Sequence, residues 1–343
     1  MSLPLKTSYE PMEAFPARAL PTGRDWQYEP KWDGFRCLAF RDGAHVELMS
    51  KASKPLTRYF PELVSAIAEL KPQHFVLDGE IVIPVDGQLS FDSLLMRIHP
   101  AASRIRKLSE GTPAALIVFD LLVDDRNNLL VEKPLKERRE KLEQFARKYL
   151  KVNNSVRLSP ATEDLHTARK WFHMGVALDG VVAKRRELPY ESGERSGMQK
   201  IKKERTADCV VGGFRYLAKK PLVGSLLLGL FDGGGKLDHV GFTSSIHDSD
   251  RAALTAKLER LIKPPGFTGK APGGLSRWST KRSMEWEPLV PKLVAEVQFD
   301  HFTGGRFRHG TRFLRWRPDK APQDCTMKQV KLENRSALDL LWC

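Results

Sequence analysis

The sequence predicts an α+β protein of two domains, a mixed-sheet domain followed by a small β-barrel. The chain has 343 residues, which is longer than a domain with one hydrophobic core usually is. Its 41% hydrophobic content is enough to form the cores of two domains. After the basic run at 200–205, a mixture of strands and helices gives way to short apolar runs separated by glycines. We therefore predict domains at 1–203 and 209–325, with a hinge at 204–208 and a C-terminal tail at 326–343.

The first domain is predicted to combine strands with a few helices. Two β-like runs flank Asp42-Gly43, a dipeptide typical of hairpin turns. Residues 61–70 begin with proline at a first-turn position and carry apolar side chains at helical spacing, and 133–151 has the pattern of a solvated amphipathic helix. The remaining strands are predicted at 75–83, 115–122 and 180–184, and two of these runs are nearly continuous in apolar residues.

The second domain is predicted to be a barrel of the oligonucleotide-binding (OB) type. Five or so short strands and a single helix fit a small Greek-key barrel of that type. The helix is predicted at 251–262, and the segment 263–286, rich in Pro, Gly, Lys and Arg, is predicted to be a loop. The clearest strands are predicted at 208–214, 225–231, 237–242 and 294–299.

The charge of the chain indicates a polyanionic partner. There are 56 Lys and Arg against 42 Asp and Glu, a formal charge of +14. One cluster of cations spans 195–205, and a second spans 306–320, where aromatic residues alternate with the cations. Cations mixed with aromatics and glycine suit a groove that follows a nucleic-acid backbone. A generally solubilising surface is the alternative.

The cysteines and the apolar runs argue against a zinc-binding, a disulfide-stabilised or a membrane protein. The four cysteines, Cys37, Cys209, Cys325 and Cys343, are far apart and show no zinc-ligand or disulfide spacing. No apolar run approaches the length of a membrane span, and the N-terminus lacks the core of a signal peptide. We expect an intracellular, reducing location and no membrane.

The segment Glu29–Arg36, EPKWDGFR, carries the clearest chemical signal. A lysine amine such as that of Lys31 attacks phosphorus only when it is unprotonated, so it needs neighbours that lower its pKa. We expect Lys200 and Lys202 to be those neighbours. Gly34 permits a tight turn beside a nucleotide, and Arg36 offers a planar fork for ribose or phosphate.

Further blocks follow this segment in order, and together they resemble a known superfamily. The blocks are KWDGFR from Lys31, SKASKPLTRYFPEL from Ser50, LDGEIVI with Glu80, VFDLL with Phe119, DGVVAK from Asp179 to Lys184, QKIK with Lys200 and Lys202, and RPDK from Arg317 to Lys320. The chain resembles the covalent nucleotidyltransferases, specifically ATP-dependent DNA ligases, and is most similar to small bacterial two-domain repair-type ligases. A coincidental match over so many ordered blocks can be dismissed.

The resemblance implies a role for each matched residue. Lys31 would carry AMP, Asp33 would belong to the same catalytic group, and Glu80 and Asp179 would hold ribose or a Mg²⁺ or Mn²⁺ ion. Glu29 would bind the adenine amino group and Phe119 would stack on the base. The phosphates would be bound by Arg36, Lys51, Lys184, Lys200 and Lys202, with Arg317 and Lys320 reaching the departing pyrophosphate.

Three departures from the usual pattern of the resemblance stand out. Lys51 replaces a common Arg and reduces a bidentate phosphate contact to a point charge. Asp179 replaces a commoner Glu, which shortens the side chain by one methylene, and Met198 replaces a common Trp.

The implied reaction takes AMP from ATP to the lysine, then to the 5′-phosphate of a nick, before the 3′-hydroxyl attacks. The implied partners are nicked duplex DNA and DNA-repair proteins, and the implied state is a monomer associated with the bacterial nucleoid in the cytoplasm. An RNA ligase and a GTP-using capping enzyme share this chemistry and are the alternatives within the class. A non-catalytic OB-fold binder of nucleic acid is the alternative outside it.

Overall fold

The computed structural model divides into two compact units, which are described separately. Unit 1 comprises Met1–Lys203 with Glu333–Cys343, and unit 2 comprises Glu204–Leu332. The structure describes residues 2–150, 155–174, 178–273, 285–330 and 337–341.

Unit 1 contains eleven strands and five α-helices among these residues. The strands are β1 (Phe15–Ala17), β2 (Trp26–Pro30), β3 (Phe35–Asp42), β4 (His45–Ser50), β5 (His74–Val82), β6 (Pro84–Val85), β7 (Gln88–Leu89), β8 (Ala115–Val123), β9 (Val156–Leu158), β10 (Val181–Arg185) and β11 (Met198–Ile201). The helices are α1 (Pro61–Ala68), α2 (Phe91–Arg97), α3 (Ala102–Gly111), α4 (Leu135–Tyr149) and α5 (Leu165–His173).

Two sheets organise unit 1. One has the order β4-β3-β5-β8-β9 and the other the order β1-β11-β10-β2. Every residue of β8 is buried, as its nearly continuous apolar run predicts, and α1 and α4 add Leu63, Ile67, Leu142 and Phe145 to the core of the first sheet. The second sheet shares another core with Trp171 of α5.

The local predictions for unit 1 are confirmed with small shifts in the ends of elements. Strands β3 and β4 pair as a hairpin, and Gly43 in its turn has a φ of 59°, which glycine adopts without strain. Helix α1 begins at Pro61, where the missing N–H costs nothing, and α4 is preceded by Pro134.

Unit 2 contains eight strands and one α-helix among the described residues. They are β12 (Arg205–Leu217), β13 (Lys220–Phe231), β14 (Leu237–Thr243), α6 (Asp248–Glu259), β15 (Glu287–Pro288), β16 (Val294–Phe299), β17 (Phe302–Thr303), β18 (Arg306–Phe307) and β19 (Arg312–Trp316).

The main sheet of unit 2 closes on itself. Its order is β14-β13-β12-β16-β19, and Thr243 at the end of β14 forms a bridge with Thr311 beside β19. The Thr311 N–H donates to the Phe242 carbonyl at 3.1 Å, and the Thr243 hydroxyl donates to the Thr311 carbonyl at 2.9 Å. The edge strands thereby pair with each other, so the predicted barrel is confirmed.

Helix α6 packs against β13 and starts earlier than predicted. Asp248 and Asp250 lie in its first turn, where carboxylates favour the positive end of the helix dipole. It ends at Glu259, because Ile262 forms a bridge with Leu289 instead of continuing the helix.

The connecting segments differ from the boundaries expected from the sequence. Arg205 to Asp208 pair with β16 as part of β12, so the stretch without regular structure between β11 and β12 is 202–204. The expected tail is divided, since buried Val330 belongs to the core of unit 2 while residues 337–341 form a short 3₁₀ helix grouped with unit 1. Much of the expected loop at 263–286 lies outside the described residues, and its described part up to 273 has no helix or strand.

Within the described residues, no helix is both long enough and apolar enough to cross a membrane.

Candidate active site

A cavity in unit 1 collects side chains from both sheets. Val182 on β10 pairs with Glu29 on β2 and with Lys200 on β11, and Lys184 pairs with Met198. Alternation along β10 puts Val182 and Lys184 on the same face of the sheet. The cavity is lined by Pro11, Met12, Glu13, Ala14, Glu29, Pro30, Lys31, Trp32, Arg36, Lys51, Glu80, Phe119, Val182, Lys184, Met198 and Lys200.

Most of the predicted site residues therefore come together. Eight of them line the cavity, namely Glu29, Lys31, Arg36, Lys51, Glu80, Phe119, Lys184 and Lys200. Asp179 forms ion pairs with both Lys31 and Lys202. Asp33 is near enough to raise the pKa values of Lys31 and Glu80 by its charge.

The chain around Lys31 is fixed by backbone hydrogen bonds to the segment before β10. The Lys31 N–H donates to the Gly180 carbonyl and the Asp179 N–H donates to the Lys31 carbonyl, both at 2.9 Å. Gly180 has a φ of 129°, and a Cβ there would lie 2.0 Å from the Ile201 carbonyl oxygen. Glycine is therefore required where DGVVAK passes β11.

Gly34 is also required by close packing. A Cβ on Gly34 would lie 2.1 Å from the Ile81 carbonyl oxygen and 2.9 Å from Cγ of Glu80. The positive-φ glycines do not include Gly34, so close approach of β5, and not a left-handed backbone, explains the glycine.

The expectation that cations lower the pKa of Lys31 is wrong for this structure. Its Nζ lies 2.5 Å from Oδ2 of Asp179, which also pairs with Lys202 at 3.2 Å. Burial alone would lower the pKa of Lys31, but the Asp179 carboxylate outweighs burial and the pKa is raised. The pKa of Lys200 is lowered instead, by burial and then by Lys31.

Glu29 and Lys184 form a buried ion pair. Their charged atoms are 2.8 Å apart, with side chains 2% and 6% exposed, and Gln27 donates a hydrogen bond to Glu29 at 2.7 Å. Phe119 is covered by the guanidinium of Arg36 and the ammonium of Lys184, 4.6 and 4.5 Å from its ring centroid. Glu29 and Phe119 thus both line the cavity while each contacts a cation.

Arg36 is held by an aspartate that the sequence interpretation missed. Its Nε and Nη2 donate to the two oxygens of Asp78, each at 2.6 Å, and Asp78 is buried. The Tyr190 hydroxyl donates to the same carboxylate at 2.7 Å. Asp78 could have been found, because it lies two residues before Glu80 on β5 and therefore on the same face of the strand.

The N-terminal segment Pro11–Ala14 was also missed, although it lines the cavity. Glu13 pairs with Lys51 at 2.8 Å and with Arg195 at 2.8 Å, and its hydrogen bond to Lys51 is the main cause of a lowered pKa. The segment precedes Lys31 by many residues and carries no phosphate-binding pattern, so nothing in the sequence indicated its place.

Glu80 gives the candidate site a carboxylate suited to a cation. Burial raises the pKa of Glu80 to about 7, partly offset by Lys31 and Arg36, and Asp33 raises it further. A nearby divalent cation would favour its charged form, and Mg²⁺ commonly binds one or two carboxylates with phosphates and waters. Glu80 and Asp179 fit that donor set, although no group of three or more His, Cys, Asp or Glu suited to a metal occurs in the described residues.

The two predicted pyrophosphate residues lie in unit 2. Arg317 pairs with Asp208 and Asp319 at 2.8 Å and with Glu296 at 3.8 Å, and hydrogen bonds to Asp319 are the main cause of its raised pKa. The half-buried Lys320 donates its backbone N–H to the Arg317 carbonyl at 3.2 Å. Arg317 therefore has a structural role within the barrel, which the sequence interpretation did not foresee.

A lysine in a cation-lined cavity of a mixed-sheet domain, in a chain that continues into an OB-type barrel, defines the covalent nucleotidyltransferase class. Residues 11–202 match the family model described as ATP dependent DNA ligase domain, and residues 219–320 match ATP dependent DNA ligase C terminal region. The chain belongs to the ATP-dependent DNA ligase family and is an ATP-using DNA ligase.

Similar proteins agree with this membership. The chain is 43% identical to DNA ligase C2 of Mycolicibacterium smegmatis, covering 96% of each chain. It is 29% identical to the multifunctional non-homologous end joining DNA repair protein LigD of Mycobacterium tuberculosis, covering 87% of this chain and 37% of that one. A solved Lig E DNA ligase is 14% identical with a TM-score of 0.54, covering 89% of this chain and 99% of that one, and supports the fold alone.

Proposed function

We propose that Lys31 is the residue that takes AMP from ATP. The observation that carries this is the position of Lys31 in the cavity that also contains Glu29, Arg36, Glu80 and Lys200. The Nζ lone pair would form a bond to the α-phosphorus of ATP, and the bond from that phosphorus to pyrophosphate would break. AMP would then pass to a DNA 5′-phosphate, and the 3′-hydroxyl would displace it.

The surrounding side chains support distinct parts of this chemistry. Lys200 projects from the same sheet face as Val182, next to Lys31, and is suited to neutralise the α-phosphate. A divalent cation at Glu80 and Asp179 would supply positive charge to the phosphates. Engaging Asp179 in that way weakens its ion pair with Lys31, which favours the neutral amine.

The assignment is tested by the intact mass of the protein. Incubation with ATP and Mg²⁺ should add one AMP, and pyrophosphate with Mg²⁺ should remove it. Lys31→Ala removes the amine, and Lys31→Arg supplies a guanidinium that is not deprotonated, so neither variant should form an adduct. Both variants should keep the fold. Lys71→Ala, which changes an exposed lysine of the same unit, should form the adduct normally. Adenylylation of either Lys31 variant would refute the assignment.

We also propose that the protein seals nicks in duplex DNA during repair, as a monomer in the bacterial cytoplasm near the nucleoid. The formal charge of +14 supports contact with DNA, and the name of the LigD relative supports a repair setting. Equal sealing of nicked DNA and nicked RNA would contradict the DNA preference. Sedimentation as a dimer would contradict the monomer.

A further inference from the structure

The cavity has a wall that none of the sequence blocks supplies. Pro11, Met12, Glu13 and Ala14 line it from the N-terminal side, and Met12 is only 4% exposed. This segment is neither helix nor strand, so its position depends on bonds to residues elsewhere in the chain.

Tyr190 provides one of these bonds through its side-chain hydroxyl. The Met12 N–H donates to the Tyr190 hydroxyl at 3.0 Å, and that hydroxyl donates to Oδ2 of Asp78 at 2.7 Å. Asp78 in turn holds the guanidinium of Arg36. A single buried oxygen atom thus links the Met12 backbone, through Asp78, to the guanidinium of Arg36.

The remaining bonds do not hold the Met12 N–H. The ion pairs of Glu13 with Lys51 and Arg195, both at 2.8 Å, involve the Glu13 side chain and do not bind the Met12 backbone. The Arg36 contact with the Met12 carbonyl is long, at 3.4 Å, and the Glu13 N–H bonds to Glu194 outside the cavity lining, at 2.8 Å. The Tyr190 ring is packed independently of its hydroxyl, with the Tyr9 ring 6.1 Å away and the Arg138 guanidinium at 5.5 Å. Removing the hydroxyl should therefore leave the ring in place and leave the Met12 N–H without its acceptor.

We propose that Tyr190 is a positioning residue for ATP binding, whose hydroxyl holds the Pro11–Ala14 wall in register with Arg36. Tyr190 does not line the cavity, so it acts through Met12 and Asp78 and not by touching the nucleotide. The ligand concerned is ATP, and this rests on the proposed assignment of the cavity as the site of lysyl-AMP formation. A wall fixed before binding lowers the ordering cost of taking up the nucleotide.

The test compares Tyr190→Phe with Tyr149→Phe. Tyr149 also donates its hydroxyl to an aspartate, Asp125 at 2.6 Å, but lies on α4 and outside the cavity lining. In Tyr190→Phe we expect the KM for ATP in lysyl-AMP formation to rise about tenfold, with kcat changed by less than about threefold, the pattern of lost uniform binding. Tyr149→Phe should match the wild type.

Two further measurements do not depend on turnover. ATP in the presence of EDTA should raise the Tm of the wild type and of Tyr149→Phe more than that of Tyr190→Phe. In the wild type, ATP should slow hydrogen exchange at the Met12 amide, a measurement that remains informative if Tyr190→Phe fails to fold.

The outcomes distinguish the positioning role of Tyr190 from the proposed function of Lys31. An unchanged KM in Tyr190→Phe, an equal rise in Tyr149→Phe, or unchanged Met12 exchange would overturn the positioning role. A wild type that shows the ATP-dependent Tm shift and Met12 protection but forms no lysyl-AMP would refute the proposed function of Lys31 while leaving the role of Tyr190 in nucleotide binding intact.

Discussion

Lys31 and Glu80 line the same cavity, but the surroundings of Lys31 favour its charged form and those of Glu80 favour its neutral form. Lys31 has a carboxylate partner at 2.5 Å, which favours its charged form. Glu80 is dominated by burial, which favours its neutral form. Before any ligand enters, the cavity therefore keeps its amine protonated and has a carboxyl group that titrates near neutral pH.

The raised pKa of Glu80 predicts a specific dependence of stability on pH. Its pKa is about 7 in the folded protein against an ordinary value of 4.5, so between these values the folded state binds more protons than the unfolded state. The free energy of unfolding should therefore fall by roughly 1–2 kcal/mol as pH rises from about 5 to about 8, after allowance for solvent screening. Urea denaturation in EDTA measures it.

Glu80→Gln should remove this part of the pH dependence, because the amide does not titrate. Glu69→Gln, at an exposed position in the same unit, should keep the wild-type dependence. The interpretation fails if the wild type and Glu80→Gln lose the same free energy of unfolding between the two pH values.

The sequence could predict the site residues that lie in short blocks but not the partners that hold them. Lys31, Glu80 and Lys184 could be found because each stands in a local pattern with a chemical reason. Tyr190 and Met12 could not, since 178 positions separate them and neither residue type indicates a nucleotide. The ion pair of Lys31 with Asp179 was also missed, because spacing in the sequence does not give the distance between the two side chains. The direction of the Lys31 pKa shift depends on that distance.

At the level of elements, apolar periodicity predicted the strands well and the connections less well. Strand β10 was predicted from GVVAK, and its central place between β2 and β11 explains why Glu29, Lys184 and Lys200 meet. The hinge was expected to include 205–208, where charged and polar residues obscure a strand that is stabilised by pairing with β16. Tertiary pairing of this kind overrides local propensity.

The strands β18 and β19 carry exposed cations that should contribute to DNA binding. Arg306 and Arg312 are both exposed. Replacing both with Gln should reduce the slope of log Kd against log salt for nicked duplex by roughly 2, because each phosphate contact releases about one counterion. Fluorescence anisotropy across a salt series measures this slope.

The matched control replaces two exposed cations of α4, Lys141 and Arg147, with Gln. Helix α4 carries charges of both signs, so this change should leave the slope close to that of the wild type. Equal slopes for the wild type and the Arg306 and Arg312 double variant would show that these cations are only part of the solvated surface.

For the whole molecule, the sequence-based expectation gives RPDK in unit 2 a part in the reaction of Lys31 in unit 1. The sequence-based expectation treats Arg317 and Lys320 alike, but Arg317 is surrounded by Asp208, Glu296 and Asp319 within its own unit. Loss of Arg317 would leave these carboxylates without their shared cation, so a defect in its variant would mix folding with catalysis. Lys320 is the cleaner probe of a role in binding pyrophosphate.

We predict that Lys320→Ala slows lysyl-AMP formation from ATP at least about tenfold, because a cation near the leaving group is lost. The variant should still seal a nick whose 5′-end already carries AMP, since no pyrophosphate leaves in that step. Quenched-flow assays of the two steps measure both rates, and unchanged Tm supplies the folding control. Equal losses in the two assays would place Lys320 in DNA binding and would contradict its expected role in binding the departing pyrophosphate.

The bond between Met12 and Tyr190 also sets an order of events during protein synthesis. The wall of the cavity leaves the ribosome early, but its acceptor follows 178 residues later. At about 5–20 residues per second, this interval is on the order of 10–40 s. A nascent chain must therefore wait for Tyr190 before this wall is fixed, and Met198 and Lys200 of the same cavity follow later still. ATP can stabilise only chains whose synthesis has passed all three residues.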